Sequence, residues 1–385
     1  VKSYYKFMES AEITLANIEL TDGIQLETET AQTNSLILDA SNLDTDRTSL
    51  DAGDKILLVP ENLTRSMGYF ENLATLQSLI VSAGYEVRIG SMLPELKEAR
   101  NFHLDSGKTL TLEPIVKFDQ ALHLNDFTPD VILLNHDLSE ADPSFFTDIK
   151  QPVHPNIQMG WSSRTKSQHF DHYTQVATQF ANAMQFDPWL ITTRHEHCGQ
   201  LNFMTGEGLQ NLHEKVGHML NQIAYDYQSQ HIDQSPFVAV KSNSGTYGMG
   251  VIMIKDPDEL YALNKKQKKS MSLNKSGKAI SSVIIQEGVP TSERWEDLVA
   301  EPVIYAIGQK PVGGFYRLHA HKGIADSLNA PGMRFQAFPY SQLKPVNDMT
   351  HDHDLSRFHL YHVLSRLTII ASAKEEQVIK QNPCY

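Results

Sequence analysis

The alternation of apolar and polar positions predicts strands and a helix in a regular order in the first half of the chain. An apolar run at 55–59, ended by Pro60, indicates a buried strand. Residues 69–83 carry apolar side chains at helical spacing, and a second apolar run follows at 85–89. This order of strand, helix and strand predicts a βαβ unit with a parallel sheet and a right-handed crossover. The run at 130–134 predicts another buried strand of the same layer.

The pattern changes in the second half of the chain. One apolar face at helical spacing predicts a long helix over 206–228, and Pro236 interrupts that pattern. Short apolar runs then predict strands at 237–241, 250–254, 282–287, 301–307 and 310–317. A last helix is predicted over 355–372. We therefore expect two domains, an N-terminal α/β domain over 1–190 and a β-rich module over 191–385.

Composition restricts the class of protein. The 385 residues include 46 acidic and 33 basic ones, which gives a net charge of −13. This balance disfavours nucleic acid as a partner, because such proteins need a concentrated basic face. No run approaches the ~18 apolar residues of a membrane helix, and no secretory signal pattern is seen, so no membrane association is expected. Two cysteines exclude a disulfide framework and favour a cytoplasmic location.

The densest candidate chemistry is a glycine-rich loop between two apolar runs. Lys241 ends the first run, and Gly245, Gly248 and Gly250 follow it. Glycines let backbone N–H groups approach phosphate oxygens, and a lysine adds a positive charge. A strand follows the loop, which excludes a Walker loop and a Rossmann turn, since both open a helix. A plain tight hairpin is the alternative interpretation of the loop.

Further motifs follow the loop in a distinctive order. They are Gln286-Glu287-Gly288-Val289 at a strand end, Glu301 within an apolar run, Gly313-Gly314-Phe315-Tyr316-Arg317, and Asp326-Ser327-Leu328-Asn329. A carboxylate within an apolar strand is costly to bury without a partner, which favours a functional role for it. This series of motifs resembles that of the ATP-grasp enzymes, which activate a carboxylate as an acyl phosphate with ATP and couple it to an amine or thiol.

Together with the segment 198–208, these motifs resemble the proteobacterial glutamate–cysteine ligases that have an ATP-grasp-like fold. The resemblance implies an α/β fold, with a Rossmann-like N-terminal layer followed by an ATP-grasp-like module. It implies ATP and Mg²⁺ as cofactors, and a ligase that joins the γ-carboxylate of L-glutamate to the amine of L-cysteine, the first step of glutathione biosynthesis. The alternatives are another ATP-grasp ligase with a different acid and amine, and a non-catalytic nucleotide-binding protein.

The resemblance also implies roles for individual residues. Lys241 and Arg317 are the expected catalytic residues, because both neutralise charge during phosphoryl transfer. The expected nucleotide contacts are Lys241, Ser244, Gly245, Gly248, Gly250, Gln286, Glu287 and Val289. Structural alternatives are a salt bridge for Arg317 and a solvated strand end for Glu287.

Oxygen ligands are needed for Mg²⁺, and the candidates are Glu301, Asp326 and Asn329. ATP-grasp proteins usually carry a glutamate two residues before this asparagine, where Ser327 stands here. This departure leaves the ligand set open. The structural alternatives are that Glu301 lies on a solvent-exposed face of its strand and that Asp326 only stabilises a turn.

The two carboxylates of glutamate require cations, and Arg164 and Arg194 are the candidates, each also interpretable as a surface arginine. Cys198 has histidine neighbours in sequence, but side chains of neighbours on a strand point apart, so we expect a structural or substrate-lining role. The His-x-His pairs lack a recognised zinc spacing, and zinc is rejected. The lysine-rich run at 265–278 either folds over the triphosphate or stays a solvated loop. A homo-oligomer is left open.

Overall fold

The computed structural model describes residues 24–25, 37–38, 51–61, 67–136, 138, 143–245, 250–273, 279–308, 310–337 and 353–381. The chain divides into two compact units, one of residues 45–164 and one of residues 1–44 with 165–385. Two short strands, β1 (Ile24–Gln25) and β2 (Ile37–Leu38), pair antiparallel in the larger unit. No helix among the described residues has the length and apolarity that crossing a membrane requires.

The smaller unit is built on a six-stranded sheet with a parallel centre. Its strands are β3 (Lys55–Pro60), β4 (Glu86–Ser91), β5 (Arg100–His103), β6 (Thr109–Pro114), β9 (Val131–Asn135) and β10 (Val153–His154), in the order β10-β9-β3-β4-β6-β5. A hairpin of β7 (Val116–Phe118) and β8 (Ala121–His123) stands apart from it. Helix α1 (Met67–Ser82) packs Phe70 and Leu73 against the sheet.

The predicted strands and helix of this unit are confirmed. Each predicted boundary lies within two residues of the observed one, and β3 pairs in parallel with both β4 and β9. Strands β5 to β8 and β10 were not predicted. They are short or alternate between exposed and buried positions, so their apolar residues form no long run.

The larger unit contains two four-stranded antiparallel sheets. The first consists of β11 (His195–Cys198), β12 (Val238–Ser242), β13 (Val251–Ile254) and β14 (Val283–Glu287), in the order β11-β14-β12-β13. The second consists of β15 (Arg294–Trp295), β16 (Leu298–Ile307), β17 (Lys310–His319) and β18 (Arg334–Ala337), in that order. All five strands predicted between 237 and 317 are confirmed. The α/β class is confirmed as well, with a Rossmann-like parallel layer in one unit and a β-rich module in the other.

Helices support both sheets of the larger unit. They are α2 (Lys166–Ala183), α3 (Leu209–Ser229), α4 (Lys265–Ser272) and α5 (His353–Gln381). The apolar stripe of α3, which includes Leu212, Val216 and Ile223, packs on the first sheet. The second sheet packs Ala300 and Tyr316 against α5. Single turns of 3₁₀ helix cover Pro143–Phe146, Ile157–Met159, Pro188–Leu190 and Pro257–Leu260.

Helix α2 belongs to the larger unit because it packs along α5. Val176 and Phe180 of α2 share a buried cluster with Leu367 and Ala371 of α5. The division between the units by contacts therefore falls at residues 164 and 165, earlier than the predicted division at 190. Helix α2 was not predicted, because most of its positions are polar and its apolar stripe is narrow.

Candidate active site

A cavity of about 390 Å³ in the larger unit is lined by residues of both antiparallel sheets. The first sheet contributes Ala239, Lys241, Val251, Met253, Gln286 and Glu287, and the second contributes Glu301. The lining also includes Lys166, the turn at 324–327, and Thr193, Phe237, Gly288, Val289 and Thr291. The lining therefore combines apolar side chains with two lysines, and Lys241 lies directly across the strands from Val251. Such a combination suits a ligand with a flat apolar ring and a polyanionic end.

Lys241 reaches the cavity from the penultimate position of β12. Its Nζ donates a hydrogen bond of 2.6 Å to Oε1 of Gln286 on the neighbouring strand β14. The amide of Gln286 in turn donates to the Thr193 hydroxyl at 2.9 Å, which fixes the orientation of the amide. Burial lowers the pKa of Lys241, and the nearby Glu301 carboxylate opposes that shift. The first sheet thus holds a desolvated cation at the cavity wall.

Lys166, at the start of α2, is a second cation of this cavity and was not among the predicted site residues. Its Nζ donates to the backbone carbonyls of Ser242 (2.9 Å), Ser244 (3.4 Å) and Gly245 (2.6 Å). Burial, together with the positive charge of Lys241, lowers the pKa of Lys166 to about 8. This lysine therefore fixes the backbone of the first half of the glycine loop by hydrogen bonds.

The beginning of α2 is tied to the loop by three more hydrogen bonds. Asn243, which is buried, accepts at its backbone carbonyl from the N–H of Lys166 (2.8 Å). Its side chain accepts from the N–H of Ser167 (3.0 Å) and donates to the Ser167 hydroxyl (3.0 Å). The one sequence signal for this arrangement is the helix start, Thr165 followed three residues later by Gln168, a capping pattern.

The glycine loop has the backbone that its composition predicts. Gly245 and Gly250 adopt φ values of +78° and +65°, a region that favours glycine. The N–H of Ser242 donates to the carbonyl of Gly250 at 2.9 Å and closes the stem of the hairpin. Ser244 is exposed beside Gly245. Gly248 lies outside the described residues, so its predicted role stays a prediction.

The end of β14 is fixed on both sides. Glu287 is buried, and its Oε2 accepts from the backbone N–H of Arg194 at 2.9 Å, which excludes the solvated strand end. The N–H of Gly288 donates to the carbonyl of Phe237 at 2.8 Å. A Cβ at Gly288 would lie 2.2 Å from the Phe237 ring, so only glycine fits here. Val289 follows, at the rim of the same cavity.

Glu301 and Arg317 face each other across β16 and β17. Nη1 of Arg317 donates to Oε2 of Glu301 at 3.1 Å, and the two side chains are 23% and 32% exposed. Nε of Arg317 is buried and has no hydrogen-bond partner in the described part of the chain. The ion pair anticipated as the structural alternative for Arg317 is therefore present. Glu301 lines the cavity, whereas Arg317 is not among the lining residues and is joined to the cavity through Glu301. An oxyanion that reached Arg317 would satisfy its remaining donors.

The metal candidates are brought together only in part. Asp326 lines the cavity with Glu301, and its Oδ2 also accepts from the N–H of Gly323 at 2.8 Å, as the turn alternative anticipated. Asn329 is exposed and is not part of the lining. No group of three or more His, Cys, Asp or Glu side chains among the described residues is arranged to hold a metal ion. Two carboxylates that line one cavity nevertheless suit Mg²⁺, which takes its other ligands from phosphate and water.

Neither predicted substrate arginine is among the lining residues of this cavity. Arg194 forms a two-bond ion pair with Asp226 (2.8 and 3.1 Å), which raises the pKa of Arg194. It lines a second cavity, of about 630 Å³, together with His195. Arg164 belongs to the smaller unit, with its guanidinium 5.1 Å from the centroid of the Trp161 ring. Both stay predictions as substrate ligands.

Two other sequence features have structural roles. Cys198 is 1% exposed within the core under the first sheet, and burial raises the pKa of its thiol. The lysine-rich run forms a helix, α4, over its first eight residues, and Met271 is the buried residue of that helix. Residues 274–278 of that run lie outside the described residues.

Comparison with known proteins identifies relatives. The family model described as glutamate-cysteine ligase matches residues 31–376. A crystal structure from Methylobacillus flagellatus KT, of a protein assigned as a gamma-glutamylcysteine synthetase, is 38% identical with a TM-score of 0.77. That match covers 88% of this chain and 79% of the other. No match was found among curated proteins.

More distant structures also align with this chain. A D-alanyl-alanine synthetase A from Vibrio cholerae O1 is 12% identical with a TM-score of 0.40, and covers 83% of this chain and 82% of its own. The D-cycloserine synthetase DcsG is 8% identical with a TM-score of 0.44, and covers 83% and 81%. Similarity this low establishes nothing about the activity of this chain.

Proposed function

The chain belongs to the glutamate–cysteine ligase family, and from this premise we propose that the cavity between its antiparallel sheets binds ATP and activates the γ-carboxylate of L-glutamate for attack by L-cysteine. The predicted enzyme class, a ligase, is that of the family. The observation that supports the site is the convergence of two partly buried lysines, Lys166 and Lys241, with Glu301, which is paired with Arg317, on one cavity.

The nucleotide is expected to lie with its base on the apolar side chains of Ala239, Val251 and Met253, which line the cavity. Gln286, Glu287 and Val289 then border the adenosine, because they lie where β14 ends at the cavity. The triphosphate is expected to contact Lys166 and Lys241. The backbone N–H groups of Ser244, Gly245 and Gly250 in the glycine loop are further expected contacts. Lys166 thereby extends the predicted set of contacts.

The reaction proceeds by two substitutions. An oxygen of the glutamate γ-carboxylate attacks the γ-phosphorus of ATP, the bond to the bridging oxygen breaks, and ADP leaves. The α-amine of cysteine then attacks the acyl carbon, phosphate leaves with the bonding electrons, and the amine loses a proton. Lys241 and Arg317 stabilise negative charge on the phosphoryl oxygens in the first step. Positioning within the cavity accounts for much of the remaining acceleration.

Magnesium is proposed to be held by Glu301 and Asp326, since both carboxylates line the cavity. When bound, this ion neutralises phosphate charge and orients the triphosphate. Asn329, the third candidate, is exposed and would have to reach the ion from outside the lining. Small-molecule substrates and a cytoplasmic location are proposed because the family's reaction is consistent with both. Arg164 and Arg194 stay candidates for the glutamate carboxylates.

An omission assay tests this function. ADP release is measured with ATP, Mg²⁺, glutamate and cysteine together and with each left out in turn. We expect release only with all four components, and γ-glutamylcysteine as the product. ADP release that needs a different amino acid pair would indicate another ligase of the same fold. ATP binding without any amino-acid-dependent release would indicate a non-catalytic nucleotide-binding protein.

A further inference from the structure

The second antiparallel sheet carries a cluster of aromatic side chains on its open side. Tyr305 of β16, Phe315 of β17 and Phe335 of β18 form this cluster, which we call the aromatic face. The ring centroids are 5.9 Å apart for Tyr305 and Phe315, and 5.1 Å apart for Phe315 and Phe335. Tyr305 is 58% exposed and Phe335 is 61% exposed. Adjacent exposed apolar side chains mark a binding surface far more often than isolated ones do.

The aromatic face is continuous with the ion pair at the cavity. Glu301 is paired with Arg317 across the strands, and Arg317 is paired with Phe335 on its other side. The next pair along the strands is Val303 with Phe315. Directly opposed residues point to the same side of a sheet, as do residues two apart on one strand. Phe335 therefore lies about 5 Å from Arg317 across the strands, and Phe315 about 7 Å along β17.

The opposite side of this sheet is already covered. Ala300, Tyr316 and Leu318 pack there against Phe358 and Tyr361 of α5. The side that carries Arg317 is thus the one that remains accessible to small molecules. A substrate that reacts at Arg317 has to lie on it.

We propose that the aromatic face binds the side chain of the amino acid that accepts the activated carboxyl group. The inference rests on the proposed function, which places phosphoryl transfer at Arg317. The attacking amine must reach the acyl carbon beside that arginine. The side chain of an amino acid is attached to the carbon that bears its amine, so it comes to lie next to Arg317, where Phe335 and Phe315 are the neighbours.

The chemistry of the aromatic face selects between the two amino acids. Past Glu301 and Arg317, its described side chains are apolar or aromatic: Val303, Tyr305, Phe315, Phe335 and Ala337. The donor, a dicarboxylate, needs cations or N–H groups and is poorly matched to such a surface. A thiol is well matched, because sulfur makes favourable contacts with aromatic rings. The face therefore suits the cysteine side chain and disfavours polar acceptors.

Acceptor preference in the full-length protein tests the inference. We would measure kcat/KM for cysteine, for 2-aminobutyrate with a methyl group in place of the thiol, and for serine with a hydroxyl group. Phe315→Ala and Phe335→Ala are expected to lower the values for cysteine and 2-aminobutyrate about tenfold and the value for serine less than threefold, because only the first two side chains make apolar contact. The KM values for ATP and glutamate should not change.

Controls separate this role from a general structural one. Phe118→Ala removes another phenylalanine, 74% exposed on β7 in the smaller unit, and should change no preference. Phe335→Leu retains an apolar surface and should keep most of the preference for cysteine. Threonine is well tolerated in strands, so Phe335→Thr serves as a second variant if the Phe335→Ala protein does not fold.

The outcomes are distinct. An equal loss of kcat/KM for all three acceptors would overturn the inference. Unchanged acceptor preference in both alanine variants would overturn it as well. Unmodified protein that releases no ADP with any of the three acceptors would instead overturn the proposed function itself. A selective loss for the two apolar acceptors would support the aromatic face.

Discussion

At the scale of the residue, two lysines, Lys166 and Lys241, line one cavity and are partly removed from water. Burial lowers the pKa of both Lys166 and Lys241, so each gives up its proton more easily than a surface lysine. A bound polyanion has the opposite effect, since it favours the protonated amines. Nucleotide binding and lysine protonation should therefore be coupled.

This coupling predicts a pH dependence for Lys166. Its pKa of about 8 means that the ammonium is present below pH 8 and is lost as the pH rises through that value. The KM for ATP should therefore rise above about pH 8. Lys166→Arg stays charged over this range and should remove the inflection, which steady-state kinetics between pH 7 and 9.5 would detect. An inflection that is unchanged in the arginine variant would assign it to another group.

Removing either predicted catalytic charge should reduce turnover without unfolding the chain. Lys241→Ala and Arg317→Ala are each expected to lower kcat about a hundred- to a thousandfold, because each cation stabilises the transferring phosphoryl group. Arg294→Ala is the matched control, since Arg294 is an exposed arginine of the same sheet that contacts only the carbonyl of Asp297 among the described groups. Near-normal turnover of either site variant, with an unchanged circular dichroism spectrum, would refute the role.

At the scale of the element, predictability follows the strength of the apolar pattern. Strands buried along most of their length, such as 55–60 and 283–287, each contain a run of three or more consecutive apolar residues and were predicted almost to the residue. Helix α3 has a broad apolar stripe and was equally clear. Helix α2 was missed because only a narrow strip of it is buried, and tertiary packing on α5 decides its conformation.

The close packing of Gly288, just after β14, on the Phe237 ring leads to a further prediction. Gly288→Ala places a methyl group within 2.2 Å of the Phe237 ring, so strand or ring has to move. We expect a loss of about 1–3 kcal/mol in the free energy of unfolding and a higher KM for ATP. At Gly313 an added Cβ meets nothing within 4 Å, so Gly313→Ala should be nearly neutral. Urea unfolding of the two variants compares them directly, and equal stabilities would contradict the packing.

At the scale of the whole molecule, the net charge of −13 opposes the polyanion that the cavity is proposed to bind. The motifs on consecutive strands of the two sheets could be found from the sequence, because Lys241, Gln286, Glu301 and Arg317 each lie in a recognisable run. Lys166 could not be found in this way. It reaches the cavity only because α2 begins beside the loop, a juxtaposition that no local pattern encodes.

Nucleotide should stabilise the folded protein in a way that depends on these local cations. ATP with Mg²⁺ at a hundred times its Kd is expected to add about 2.7 kcal/mol to the free energy of unfolding. Lys241→Met should lose most of the resulting shift in Tm at the same ATP concentration. Chelation of Mg²⁺ should reduce the shift and abolish ADP release. A full shift in the methionine variant would place the nucleotide elsewhere.

The pairing of α2 with α5 also determines when the larger unit can complete its fold during synthesis. Every strand of both antiparallel sheets lies between these two helices in the sequence. The buried cluster that joins Phe180 to Leu367 can close only after the last helix has left the ribosome, whereas β3 to β10 are complete much earlier. On a nascent chain, the larger unit is thus expected to become resistant to proteolysis later than the smaller unit, because its sheets need α5 to complete the fold.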